Sequence, residues 1–432
     1  MSRNLAEEQY ERPPDNIRNS GIEKSIDGYA SCVTLQQRSG IGKEINLIFS
    51  KRQQDEIIRT ARPDEPVRFN TDEHSGIGGQ ILLPFLPLWM LGFASPEHVD
   101  IAKRAQPEKE EDRQLILPNG IKIKFEHIVA LGGDFYGIPK APIIDPFDEE
   151  DVGRCKRFMA AFNTMARAPD DEVEELRMLI AIADKDTDFR KQDEITGGIW
   201  IGGVPVKPGR MLKLAMNNHD HFLPHARSAY LTGHQVALGK AREASQANTE
   251  DEKTKLLHEA YAMEAFACHF LTDTFASGHI RTPRAELGKA TNLHVDGHYL
   301  SKCMHDEDGQ FGLRVTNVRG DKWIAYGDGM LHKSEDNFKY VVEATQKSVN
   351  QVYEAYQDPN KVIDTAEVTD IIPLVDYEEK NNYPLFRVKP DGKLHRRSNI
   401  NNLQDANTIS NWWGPSTATM LSVQYKPKNS AI

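Results

Sequence analysis

The chain has little that would suit it to span a membrane, hold a disulfide framework or coat duplex nucleic acid. No apolar run reaches the roughly eighteen uninterrupted residues expected of a membrane-crossing helix. Four cysteines, Cys32, Cys155, Cys268 and Cys303, are too few and too scattered across 432 residues for disulfide staples or a CxxC zinc module. Aspartate and glutamate (64) outnumber lysine and arginine (53), and a formal charge of −11 excludes a broad basic face for duplex nucleic acid. The opening MSRNLAEEQYERPPDN is polar and acidic, without the basic and apolar regions of a secretory signal. The expectation is a cytoplasmic protein, or one secreted by a route independent of a signal peptide.

What is present is a large core and an excess of histidine. A chain of this length buries a core of one large domain with extensions, or of two. Most of its fifteen histidines fall between His219 and His332, and that clustering is the first functional clue.

Residues 1–65 are polar and read as an N-terminal extension of unknown role. The segment 76–94, GIGGQILLPFLPLWMLGFA, has the length of a buried helix, with Pro84 and Pro87 placed to begin or kink it. Apolar stretches on either side of Asn119-Gly120 predict a hairpin. Beyond Asp148 apolar residues recur every three to four positions over 152–166, 171–183, 223–246, 253–276, 293–303 and 335–357, with polar and proline clusters between them. The fold class is therefore mainly α, a helical bundle over 66–360. Alternating strands flank Asp391-Gly392, and 361–432 reads as a small β-rich C-terminal extension.

The segment AFACHFLTDTFASGHIR closes one of the helices. His269 and Asp273 stand four residues apart, so both side chains leave one helical face about a turn apart, where they can share a zinc ion. Phe266, Phe270, Leu271 and Phe275 would bury the pair, and a buried carboxylate needs partners that a metal supplies. Gly278 offers a helix stop that frees His279 to turn elsewhere. His294 and His298 form a second four-residue pair.

HxxxD, a histidine six residues on, and a second pair some fifteen residues later together resemble the superfamily of zinc-dependent phospholipases C and single-strand-specific nucleases. The resemblance is closest to the bacterial zinc metallophospholipases C. It is specific over about 217–300, covers 70–220 more loosely and does not extend to the two ends. It implies a helical bundle with a trinuclear zinc cleft, holding about two to three zinc ions. It also implies roles for particular residues. His221 in NNHDHFLP joins His269 and Asp273 at a first zinc, and Asp273 also reaches a third. His279, His294 and His298 form a second site, where His298 replaces the family's carboxylate. Asp134 in GGDFYGIP is the bridging aspartate and the candidate general base, and His74 is the early histidine of the third site, completed by Asp72 or Glu73. Arg281 and Arg284 are candidates to pair with a substrate phosphate.

The activity so implied is hydrolysis of glycerophospholipids such as phosphatidylcholine to diacylglycerol and a phosphorylated head group. Acidic net charge and the absence of interleaved aromatic and basic residues favour a phospholipid membrane surface over single-stranded nucleic acid. A single-strand nuclease and a metal-stabilised effector without turnover are the alternatives. Recruitment to lipid is expected to rest on apolar contact, for which Trp412, Trp413 and the segment 85–93 are candidates.

Overall fold

In a computed structural model of the chain, the described residues are 94–147, 152–184, 189–202, 204–290, 294–327 and 329–432. The N-terminal extension, the apolar segment over 76–93 and the expected ligand His74 with Asp72 and Glu73 lie outside them.

Fourteen α-helices dominate the described residues. The first are α1 (Ser95–Arg104) and α2 (Phe125–Leu131), separated by the hairpin β1 (Gln114–Ile116) and β2 (Lys122–Lys124). Asn119-Gly120 makes its turn, as the dipeptide predicts, and Gly120 takes φ +82°. Next come α3 (Arg154–Ala166), α4 (Asp170–Ala183) and α5 (Phe189–Ile195). A second hairpin, β3 (Ile199–Ile201) and β4 (Val204–Lys207), leads into the short α6 (Arg210–Ala215). Two long helices follow, α7 (His225–Ser245) and α8 (Glu250–Asp273), then α9 (Ser277–Ile280), α10 (Arg284–Ala290) and α11 (His294–Phe311). The last long helix, α12 (Glu335–Gln357), stands after the strands β5 (Leu313–Thr316) and β6 (Lys322–Ala325). The chain ends through α13 (Ala366–Thr369), β7 (Leu374–Val375), β8 (Phe386–Val388), β9 (Leu394–Arg397), β10 (Thr408–Ile409) and α14 (Gly414–Gln424).

Helix α8 is the axis of the bundle. Thr249 caps its start by accepting from the Glu252 amide, and three acidic residues in the first turn complement the positive end of the helix dipole. From Ala260 onward every residue is buried, so the outer polar face seen on an ordinary amphipathic helix is lost. Small residues make this possible: Ala260, Ala262, Ala265 and Ala267 let neighbouring helices approach closely, while Phe266 meets the ring edges of Phe158 and Phe162. Burying a phenylalanine of this kind stabilises the fold by about 2–3 kcal/mol. Helices α7, α12, α2 and α1 all pack against α8, and α12 also touches α1. The carboxyl end of α8 is thereby enclosed from several directions.

The C-terminal residues are tied to this bundle. Strand β7 pairs antiparallel with β5, and β8, β9 and β10 form a separate three-stranded sheet. A second apolar cluster joins Leu300 and Met304 of α11 to Phe386, Ile400 and Leu421. At its centre Arg397 makes a two-pronged ion pair with Glu307, at 2.9 and 2.6 Å, both side chains excluded from water.

Candidate metal centre

The last turn of α8 presents His269 and Asp273 on one face, both fully buried. Three further segments add ligand-bearing side chains. Helix α1 brings His98, the loop after α2 brings Asp134, and a 3-10 turn over His219–His221 brings His221. Two overlapping groups result, His98 with Asp134 and His269, and His221 with His269 and Asp273, each with ligand atoms within 4.8 Å of one another. These two buried groups could each hold a metal ion.

The separations suit a tetrahedral cation, because bonds of about 2.1 Å place the ligand atoms about 3.4 Å apart. His269 Nε2 lies 3.3 Å from His221 Nδ1 and 3.6 Å from Asp273 Oδ2. Asp134 Oδ1 is 3.8 Å from both imidazole nitrogens, whereas His221 Nδ1 and Asp273 Oδ2, 2.7 Å apart, are hydrogen-bonded and would have to part to flank one cation. The other Asp273 oxygen faces a different ring: Oδ1 is 3.6 Å from His98 Nε2 and has no hydrogen bond of its own among the described residues. The two oxygens of Asp273 thus face separate imidazoles.

Local structure sets the orientation of each ring. His269 donates from Nδ1 to the Val129 carbonyl at 2.9 Å, which leaves the Nε2 lone pair pointing into the cluster. His98 Nδ1 lies 2.8 Å from the Thr272 hydroxyl. Gly133 adopts φ +74°, and a Cβ there would come within 2.5 Å of His269 and 2.9 Å of His221. Only glycine lets the Asp134 loop lie this close to the two rings.

Burial decides the charges. It pulls both the His221 and His269 imidazoles down to about 4, and it lifts the Asp273 carboxyl to about 7. The rings are thus neutral at physiological pH, with lone pairs available, while the carboxylate is reluctant to ionise. A divalent cation at this point would relieve that situation, since it favours neutral imidazole and anionic carboxylate together.

The residues expected at a second site are arranged differently. His279 stacks on Phe222 at 4.0 Å and donates from Nδ1 to the His221 carbonyl at 2.7 Å, and its buried Nε2 has no hydrogen bond among the described residues. His298 Nδ1 instead takes a 2.7 Å hydrogen bond from Arg284. The backbone of His294 opens α11, and its side chain lies outside the described residues. Neither His279 nor His298 enters a compact ligand group among the described residues. Gly278 is not the helix stop that the sequence suggested. α8 ends at Asp273, and Gly278 lies within α9, where a Cβ would meet the His305 ring at 2.5 Å.

Both arginines proposed for phosphate are engaged within the protein. Arg281 holds Asp308 at 2.8 and 2.6 Å and the Asn382 carbonyl at 2.8 Å. Arg284, pushed down to about 9 by burial, donates to Asn218, to the Ala215 and Met216 carbonyls and to His298. Trp412 packs on Phe386 and donates to the Leu394 carbonyl, so it belongs to the C-terminal core, whereas Trp413 beside it is 65% exposed.

Sequence reading did not find His98. Within SPEHVD no second ligand stands at helical spacing, so the segment carries no metal signal of its own. Its one distinguishing feature is a histidine buried on the first described helix. No protein-family model, curated protein or solved structure matches this chain.

Proposed function

We propose that the protein is a zinc-dependent phosphodiesterase of phospholipase C type, related to the bacterial zinc metallophospholipases C. The observation that carries this reading is the convergence of three imidazoles and two carboxylates, from four separated segments, on one buried point. No apolar core needs such a set, and Asp273 Oδ1, buried with no hydrogen bond among the described residues, costs stability unless something coordinates it. His221, His269 and Asp273, with Asp134, would hold one ion, and His98 with the second oxygen of Asp273 would hold another. His279, whose buried Nε2 has no hydrogen bond among the described residues, would contribute to a further ion. Zinc bound there would supply hydroxide near neutral pH and charge to clamp a phosphoryl oxygen.

The chain's own groups do the rest. Asp134 faces the same point as the lone pairs of His221 and His269, and as a carboxylate it would hold the attacking water and accept its proton. Val129 and Thr272 keep the rings oriented through the exchange. Beside His221 a small cavity is walled by Tyr136, Ile138, Pro142, Leu214 and Phe270, and no lysine or arginine lines it. Asn217, Asn218 and Asp220 also line it, and the absence of a basic track weighs against a nucleic-acid strand.

Elemental analysis of protein purified without added metal should return about two to three zinc ions per chain. Phosphatidylcholine should be cleaved on the glycerol side of the phosphate, in preference to single-stranded DNA. Asp134→Asn should keep most of the metal and lower turnover by roughly a hundredfold or more. Less than one transition metal per chain would remove the proposal, and preferential release of nucleotides would replace the phospholipase with a nuclease.

A further inference from the structure

The hairpin formed by β3 and β4 has two unlike faces. Trp200 points inward, its ring edge-on to Phe189 at 6.4 Å and its Nε1 donating to Asp193 Oδ2 at 2.8 Å. The same buried carboxylate receives the amides of Gly209 and Leu212 through Oδ1, at 3.0 and 3.2 Å. One side chain thereby bolts the hairpin to the start of α6. The outer face is apolar and exposed: Ile199, Ile201 and Val206 are 50, 67 and 57% accessible. Alternation along a strand would ordinarily put polar residues there. The hairpin is a two-stranded sheet with nothing packed on this side among the described residues.

Lys207, the strand partner of Ile199, borders the apolar face, and Lys213 lies close enough to feel its charge. Lys207 ends β4 and is exposed, and Lys213 follows on α6, half-buried. Neither forms an ion pair among the described residues. Burial, and then the neighbouring charge of Lys207, lower the pKa of Lys213. Asp193 is the one acid that acts on Lys213, and its oxygens are already taken by Trp200, Gly209 and Leu212, while Arg210 adds a third cation, so in a chain of net charge −11 this corner is locally basic. The position matters too, because α6 also carries Leu214, which walls the cavity beside His221. The hairpin therefore stands one short helix away from the candidate metal centre.

We infer that this hairpin seats the protein on a bilayer containing anionic phospholipid, with Ile199, Ile201 and Val206 entering the interface and Lys207 and Lys213 meeting the head groups. A few apolar side chains with adjacent cations give reversible interfacial binding. The patch is far smaller than the roughly 1,200 Å² that a stable protein interface buries. Net charge alone argued for recruitment by apolar contact only. The local pair of lysines adds an electrostatic component that the average conceals. The choice of a lipid surface rests on the phospholipase reading above.

The test is cosedimentation of the full-length protein with large vesicles of equimolar phosphatidylcholine and phosphatidylglycerol, without substrate turnover. Lys207→Gln combined with Lys213→Gln should lower the partition coefficient roughly twenty-five-fold, at about fivefold per lysine. Ile199→Ser with Ile201→Ser should lower it at least about tenfold. Both double variants should keep the wild-type melting temperature, metal content and hydrolysis of a soluble short-chain phosphodiester. Unchanged sedimentation of both variants would overturn the inference. So would a wild-type protein that ignores vesicles and instead dimerises through these isoleucines. Vesicle binding that depends on the hairpin, in a protein that hydrolyses no lipid, would leave the inference standing and remove the phospholipase. Hydrolysis of short-chain lipid with no role for the hairpin in binding would do the reverse.

Discussion

His269 with Asp273 and His294 with His298 have the same four-residue spacing on long helices; the first pair lies in a compact ligand group, whereas His298 of the second does not among the described residues. The difference lies in what surrounds them. The end of α8 is met by α1, by the glycine loop after α2 and by the 219–221 turn, each bringing a ligand. His298, on α11, is met by a guanidinium with its donors turned outward, and a ring nitrogen that accepts from Arg284 leaves its proton on the other nitrogen, where a metal would need a lone pair. Spacing along a helix places two ligands on a common face. Whether a site forms depends on the charge and the lone pairs of the third element.

The largest effect should come from the first pair. His269→Ala and Asp273→Ala should each lose metal and lower kcat/KM by at least roughly a hundredfold, since groups that merely support a ligand already matter by about ten- to a hundredfold. Metal content and activity measured on the same preparations would check this, and full activity in a metal-free variant would dissolve the contrast. A sharper comparison sets His98→Ala against His298→Ala. The first should remove about one equivalent of metal. The second should leave the α8 cluster loaded and cost about 1–3 kcal/mol of stability, because Arg284 loses an acceptor in a buried place. Loss of a metal equivalent in His298→Ala would show instead that α11 supplies a second site once metal is present.

The smallest effect is one of pH on chelator-treated protein. His221 and His269 are held at about 4 when folded, while an unfolded chain protonates them near the ordinary value of about 6.5. Between those values the unfolded state binds more protons, so stability falls as pH drops. Asp273, raised to about 7, acts in the opposite sense: it is favourable at low pH, and that contribution is lost as pH rises through about 7. Two imidazoles against one carboxyl leave a net loss on acidification. The melting temperature should be lower near pH 5 than near pH 7. A higher value at the acid end would mean that the folded cluster carries charged imidazoles.

Much of the helical frame was legible because its signals are local. Apolar residues every three to four positions marked α3, α4, α7, α8 and α12 to within a few residues, and the predicted span of α12 coincides with the helix. The ends were less clear. Thr249 begins α8 earlier than the apolar pattern does, because the first turn is acidic and capped rather than apolar. In the candidate site, the His269–Asp273 pair could be read from one segment. His221 and Asp134 came from resemblance, and the burial of Asp134 beside both rings needed a glycine at φ +74° that no spacing predicts. His98 had no partner within its own helix.

The sequence by itself determined which segments become the long helices, where the tight turn at Asn119-Gly120 falls, and which helix carries a ligand pair on one face. These follow from contacts within about four residues, where backbone hydrogen bonding and side-chain periodicity act alone. The tertiary structure decided that His98 joins the cluster, that Asp273 turns its two oxygens to different imidazoles, and that Arg281 and Arg284 are held by Asp308, Asn218 and His298. Each of those outcomes depends on groups far apart in the chain, and burial, which sets their charge and their need for partners, exists only once the helices have packed.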